Sequence, residues 1–261
     1  MTRPSLRIVK IGGNVINDPA ALRSFLADFA RVPGRKLLVH GGGREATKIA
    51  QALDIKTTMI EGRRVTDAAT LDVVTMVYAG LINKRIVAAL QASGCNAAGF
   101  SGADAMALRS VCRSPEPVDY GYVGDVPSDG VNVDFLSAVL DMGVSPVMCA
   151  ITCDSSGQLL NTNADSVATA LAVGLSERFD VELTMCFEMP GVLADINDPS
   201  SVIPSITARS FVSLKADGIV ADGMIPKITG ALKAVDAGVG SVVITRHDTL
   251  LTPGSGTRIE K

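Results

Sequence analysis

The sequence predicts an α/β fold built on one mostly parallel sheet. Two observations carry that expectation. Short apolar runs alternate with segments of helical periodicity almost from end to end, the pattern of strands joined by crossover helices. The 261 residues, 47% hydrophobic and 20% charged, suffice to close a large core without disulfides or a structural metal. No internal repeat, low-complexity tract or long linker interrupts the alternation. The weakest boundary lies near residues 174–179, so two lobes, 1–175 and 176–261, are expected on one continuous sheet.

Leu6–Ile11 is apolar except for Arg7 and Lys10 and reads as a buried strand. Asp18–Ala30 places apolar residues at 21, 22, 25, 26 and 29, the spacing of one helix face. Lys36–His40 is a second strand, running into Gly41-Gly42-Gly43 and then a helix from Arg44 to Leu53. Thr66 or Asp67 can cap a long helix reaching Ala92. Ala97–Phe100 is a short strand. Pro115, Pro117, Gly121, Gly124 and Pro127 punctuate Leu108–Asn132, where hairpins are expected. Phe135–Met142 reads as a helix, Pro146–Ile151 as a strand, Ala164–Leu175 as a helix and Val181–Cys186 as a strand. Thr207–Lys215 and Met224–Ala237 are helices, and Ser241–Thr245 is a late strand.

Composition removes several classes of function. A net charge of −3 offers no basic footprint for nucleic acid or anionic lipid. Aromatics at 4%, with no tryptophan, argue against base-stacking platforms. Only two histidines, His40 and His247, leave little for His-ligated zinc or a Ser-His-Asp system. The five cysteines include no CxxC pair and read as small buried hydrophobes of a reducing compartment. No apolar run approaches the 18 residues a membrane helix requires, and Met1–Lys10 lacks the apolar core of a signal peptide, so a cytoplasmic protein is expected.

Five segments can carry chemistry. Lys10-Ile11-Gly12-Gly13-Asn14 ends the first strand, where open α/β sheets bind ligands; the lysine can meet a phosphate or simply reach solvent. Gly41-Gly42-Gly43 precedes a helix, whose free amides make an anion site. Gly41, Gly43 and Ala46 also satisfy a dinucleotide fingerprint, with Glu61 about where its ribose-binding acid should lie. In Gly62-Arg63-Arg64-Val65-Thr66-Asp67, either arginine can fork a carboxylate. Asn161-Thr162-Asn163-Ala164-Asp165 opens a helix and can be a site or merely a cap. Asp222-Gly223-Met224-Ile225-Pro226-Lys227 puts a lysine at a helix start, where the dipole disfavours it unless an anion is bound. Together the five suit phosphoryl transfer, in which a protein positions groups and neutralises charge.

The segments KIGGN (10–14), VHGGG (39–43), GRRVTD (62–67), NK (83–84), GFSGAD (99–104), GYVGDV (121–126), LLNTNADSVA (159–168), DGMIPK (222–227) and SGTRI (255–259) resemble, in order, the N-acetylglutamate kinase branch of the amino-acid kinase family. The resemblance implies a three-layer αβα sandwich around one open, mainly parallel sheet. The N-terminal lobe would bind the acylated amino acid and the C-terminal lobe ATP. The implied reaction phosphorylates the side-chain carboxylate of an N-acyl-L-glutamate, the second step of arginine biosynthesis, with acetyl as the acyl group and succinyl as the alternative. Lys10 and Lys227 would stabilise the transferring phosphoryl group and Asp165 would hold both lysines. Gly12 and Gly13 would lie against the phosphates. Gly42 and Gly43 would cradle substrate, and Arg64 with Asn161 would grip its carboxylate and acyl-amino part. Glu188, Gly191, Asp222, Gly223 and Met224 would flank the nucleotide. Mg²⁺ would arrive on ATP, with few direct protein ligands.

One segment departs from the family pattern. Cys186-Phe187-Glu188-Met189-Pro190-Gly191 stands where members carry Thr- or Ser-Asp-Val-x-Gly, with Glu188 in place of the aspartate. The first strand starts near Leu6, without the N-terminal helix of arginine-inhibited members, so an arginine-insensitive homodimer is expected.

Overall fold

Eight segments pair into one sheet, and their order creates the site. The computed structural model describes residues 3–220 and 224–261. In chain order the strands are β1 (Ser5–Ile11), β2 (Arg35–His40), β3 (Ala97–Phe100), β4 (Ser145–Cys149), β5 (Asp180–Phe187), β6 (Ser205–Ile206), β7 (Ser241–Arg246) and β8 (Thr257–Ile259). Across the sheet they run β6-β8-β7-β5-β1-β2-β4-β3, all neighbours parallel except β7 and β8. Lys10 therefore lies between Val39 of β2 and Met185 of β5. The chain leaves β1 toward β2 but leaves β5 toward β7. Connections thus diverge from the carboxyl ends of two adjacent strands, which is where open sheets leave a ligand crevice. The β1–β5 pairing runs unbroken from Ser5 opposite Asp180 to Ile11 opposite Cys186, so one sheet serves the whole chain.

The helices are α1 (Gly13–Asn17), α2 (Pro19–Arg31), α3 (Gly43–Ala52), α4 (Ala68–Thr75), α5 (Asn83–Ala92), α6 (Val133–Asp141), α7 (Ala164–Leu175), α8 (Ala208–Ala216) and α9 (Ile225–Asp236). Side chains alternate across a strand, so neighbours in β1 feed two cores. Leu6 and Ile8 join Leu183 and Met185 against Leu136, Val167 and Ile228 of α6, α7 and α9. Val9 and Ile11 join Leu38 and Val147 against Phe25, Val74 and Ile86 of α2, α4 and α5. The architecture is the three-layer αβα sandwich.

Several expectations need adjustment. The helix over 66–92 is one rod, but a π-helical turn, Met76–Ile82, joins α4 to α5. Asp67 rather than Thr66 caps it, accepting a bond from the Thr70 amide (2.8 Å), and its hydrogen bonding to Thr70 holds its carboxyl below the usual range. By length and mean hydropathy alone, residues 68–92 would cross a membrane, which corrects the earlier reading. Leu71, Val74, Ile82 and Ile86 instead lie buried in the core, while Asp72, Met76, Lys84 and Arg85 stay exposed. The strand expected at 146–151 stops at Cys149; Ile151–Cys153 then forms its own hairpin with Leu159–Asn161. Pairing within 108–132 consists of Val111–Cys112 with Gly124–Asp125 and an isolated antiparallel bridge between Leu108 and Val131. The hairpin Thr58–Ile60 with Arg63–Val65, α1, and strands β6 and β8 carried no signal, because two to five residues are too few to show a period.

His40 locks the sheet to this rod. Its Nδ1 donates to the Gly41 carbonyl (2.8 Å) and its Nε2 accepts from Asn83 Nδ2 (3.1 Å), which also donates to the Val147 carbonyl (2.9 Å). This bonding selects the neutral ring with the proton on Nδ1. Burial pushes its pKa down to about 4, the bond to Gly41 offsetting part of the effect. Because the folded value lies below the ordinary 6.5, the unfolded chain takes up the proton first. Stability is then full above pH 6.5 and declines as the pH falls toward 4, by about 3 kcal/mol at most. Urea midpoints should fall more steeply between pH 7 and 4.5 for the native protein than for His40→Gln. Parallel curves would show that another group titrates.

Candidate active site

The crevice places a lysine in an apolar strand, and the neighbouring elements compensate its charge. Lys10 is only 7% exposed, and its Nζ lies 2.7 Å from Asp165 Oδ1. Asp165 is delivered by the first turn of α7. Asn163 caps that helix, its side chain accepting from the amides of Asp165 (2.8 Å) and Ser166 (3.1 Å). Of the Asn161–Asp165 segment, capping thus occupies Asn163 alone and leaves Asp165 for Lys10, whereas the expected second ion pair of Asp165, with Lys227, is not formed. Asp165 Oδ1 is buried and makes no well-aligned hydrogen bond, so the ion pair is its whole compensation. The first turn of α9 brings Lys227, and the carboxyl end of β5 brings Phe187. The Phe187 ring centroid lies 3.9 Å from Lys227 Nζ and 5.4 Å from Lys10 Nζ.

The glycine turn after β2 is fitted to the π turn. A Cβ at Gly42 would lie 2.4 Å from Ile82 Cδ1 and 2.9 Å from Tyr78, so a larger residue there would have to push those side chains aside. The Gly43 carbonyl accepts from Arg64 Nη2 (2.9 Å), which also reaches Thr47 Oγ1 (2.8 Å). Arg64 is 8% exposed whereas Arg63 is exposed, since adjacent residues of a strand point to opposite sides. Asn161 Nδ2 donates to Thr66 Oγ1 (3.0 Å), joining the α7 entry to the end of the arginine hairpin.

Lys10, Gly12, Gly13, Gly42, Gly43, Arg64 and Asn161 line one cavity of about 250 Å³. Gly12 and Gly13 also border a second, of about 690 Å³, with Glu188, Gly191, Met224 and Lys227. Asp165, Phe187 and Lys227 reach a third, of about 820 Å³, between α7 and α9. The expected site residues therefore assemble around one crevice; Asp222 and Gly223 lie outside the described residues. Sequence reading missed Tyr78, Arg113 and the role of Phe187. Arg113 lines the smaller cavity, paired to Asp125 through Nε (2.9 Å) and Nη2. That bonding raises its pKa. Nothing local marks it in the sequence, because its place depends on a loop crossing from another element.

Two chemical alternatives can be weighed here. Among the described residues no three His, Cys, Asp or Glu side chains cluster as metal ligands, and Asp165 is engaged by Lys10. The dinucleotide reading of Gly41, Gly43 and Ala46 does not hold. After α3 the chain enters a hairpin outside the main sheet, and Glu61 sits exposed in its turn at φ 49°, not at the end of a sheet strand.

Comparison with known proteins agrees with this architecture. The family model described as the amino acid kinase family matches residues 5–246. An acetylglutamate kinase of Phocaeicola vulgatus is 51% identical over 259 residues, covering 99% of this chain and 100% of its own. The acetylglutamate kinase of Bacteroides thetaiotaomicron is likewise 51% identical, over 99% of this chain and 100% of its own. The crystal structure of smu.665 from Streptococcus mutans, 28% identical, superposes with a TM-score of 0.78 over 98% of each chain. With its sheet order, its converging lysines and a family match over most of its length, the chain belongs to the amino acid kinase family.

Proposed function

We propose that this kinase transfers the γ-phosphoryl group of ATP to the side-chain carboxylate of N-acetyl-L-glutamate, giving an acyl phosphate and ADP in the second step of arginine biosynthesis. The observation that carries the reading is the convergence of Lys10, its partner Asp165, and Lys227 at the strand ends beside the Arg64-held glycine turn. The shared name of the half-identical relatives supports the acetyl group. A carboxylate nucleophile with a pKa near 4.3 is already ionised at pH 7, so no base has to act on it. The buried, neutral His40 accordingly shapes the glycine loop and moves no proton. What the reaction requires is relief of anion–polyanion repulsion. Lys10 and Lys227 supply it at the transferring group, and Gly12 and Gly13 let the backbone approach the phosphates. Arg64 and Asn161 orient the acylated amino acid. Residues 1–175 hold that substrate and residues 176–261 hold ATP, with Glu188, Gly191 and Met224 on the nucleotide side. Mg²⁺ enters with the nucleotide.

Lys10→Ala and Lys227→Ala should each lower kcat on the order of 100-fold or more while changing the KM for the acyl amino acid much less, because their contacts strengthen as charge moves in the transition state. Near-native turnover by either variant would remove it from this role. A homodimer is expected from the family resemblance. Light scattering should give twice the 27.1 kDa chain mass, and a monomer would overturn it.

A longer acyl group ending in a carboxylate, as in N-succinyl-L-glutamate, is the second reading. Arg113 favours it: it lines the same cavity as Arg64, and Asp125 engages its Nε–Nη2 edge, leaving Nη1 outside that fork. ADP release can be measured with N-acetyl-, N-succinyl- and free glutamate, with N-acetylated aminoadipate as control. The highest kcat/KM is expected for the acetyl substrate. A preference for succinyl that Arg113→Leu abolishes would establish the second reading.

A further inference from the structure

Two lysines drawn to one crevice repel each other until a polyanion arrives, and among the described residues only Lys10 has a carboxylate to hold it. Lys10 has Asp165. Among the described residues no carboxylate lies within ion-pair distance of Lys227. What Lys227 does have is an aromatic face: its Nζ stands 3.9 Å from the centroid of Phe187, and Lys10 Nζ stands 5.4 Å from the same centroid. Both separations fall within the roughly 6 Å over which a ring quadrupole attracts a cation.

Phe187 is well placed for such a part. It is the last residue of β5, on the same side of the sheet as Leu183 and Met185, and so on the side that α7 and α9 cover. It is only partly buried and borders both the cavity shared with Glu188 and the groove shared with Asp165.

We propose that Phe187 is a positioning residue whose ring face holds the Lys227 and Lys10 ammonium groups at the crevice before the phosphates bind. The ring touches no reacting atom. It acts through the lysines, limiting the rotamers Lys227 can explore without neutralising the charge that the reaction needs. A carboxylate in its place would hold the lysine more tightly but would cancel that charge and repel the nucleotide.

The inference rests on the kinase reading, and one measurement is independent of it. After reductive methylation with ¹³C-formaldehyde, which keeps the charge, the Lys227 methyl signal should be shifted upfield by the ring, and Phe187→Leu should abolish the shift. Absence of the shift in the native protein would overturn the proposal whatever the enzyme does. In turnover assays Phe187→Leu should lower kcat by about 3- to 30-fold, the range expected for losing such an interaction, with the KM of the acyl amino acid little changed. Phe187→Tyr and Phe187→Trp should restore most of it. Should the leucine variant fail to fold, replacement of Phe187 by 4-fluoro-, 3,5-difluoro- and 3,4,5-trifluorophenylalanine keeps the ring's shape while draining its face of charge. A graded fall in kcat across that series is expected, and a flat series would reduce the ring to a filler. If the shift is present but the native protein phosphorylates no acylglutamate, the function is wrong and the positioning of the lysines stands.

Discussion

The constraint on which the rest of the structure depends is the burial of a lysine at the carboxyl end of the central strand. Desolvating an ammonium group is expensive unless an opposite charge is close, and a pair of unit charges about 4 Å apart recovers roughly 4 kcal/mol at an effective dielectric of 20. Lys10 meets that condition with Asp165 at 2.7 Å. Asp165 can be there only because α7 begins where it does, and α7 begins there because Asn163 caps it. The position of the crevice follows from the same strand, since β1 is the one from which connections diverge. A single buried charge thus ties the sheet order, the start of a helix and the chemistry together. The partner also stays 38% exposed, so the pair remains open to an incoming anion instead of being sealed into the core.

A second fit, between the glycine turn and the π turn, shapes the substrate side. An α-helix continued through Met76–Ile82 would rotate every later side chain of the rod. The extra residue per turn instead presents Tyr78 and Ile82 to Gly42, and Asn83 to His40 and Val147. Gly43 is then held from its other side by Arg64. The arginine that can meet a substrate carboxylate therefore also secures the loop that cradles the substrate. Its binding and its structural duties are not separable by deletion, which is why a change in substrate affinity at Arg64 has to be read with loop order in mind.

Much of this was legible from particular residues. The LRIVKI, KLLVH and VELTMC runs announce strands because a buried parallel sheet leaves no polar face, and the i, i+3, i+4 spacing over 18–30 announces α2. Lys10, Gly12, Gly42, Arg64, Asn161, Asp165 and Lys227 stand out because glycines and lone charges at strand ends have few structural uses. Phe187 and Arg113 did not stand out. An aromatic ending an apolar strand looks like core, and an arginine in a proline-rich loop looks solvated; only neighbours far away in sequence give either one a part. The π turn was equally silent, as its residues have ordinary helical periodicity. The long rod shows no unbroken apolar run of membrane length, although as one helix it meets that length and mean hydropathy.

The sequence by itself determined the alternation of strands and helices, the caps, and the inventory of cations and glycines, for these rest on local periodicity and on the chemistry of single residues. Tertiary structure alone decided that Lys10 would pair with Asp165 and that both lysines would lie over the Phe187 ring. It likewise decided which arginine would be buried. Those outcomes depend on strand order and helix register, and both are set by long-range burial of apolar surface that no window of sequence contains.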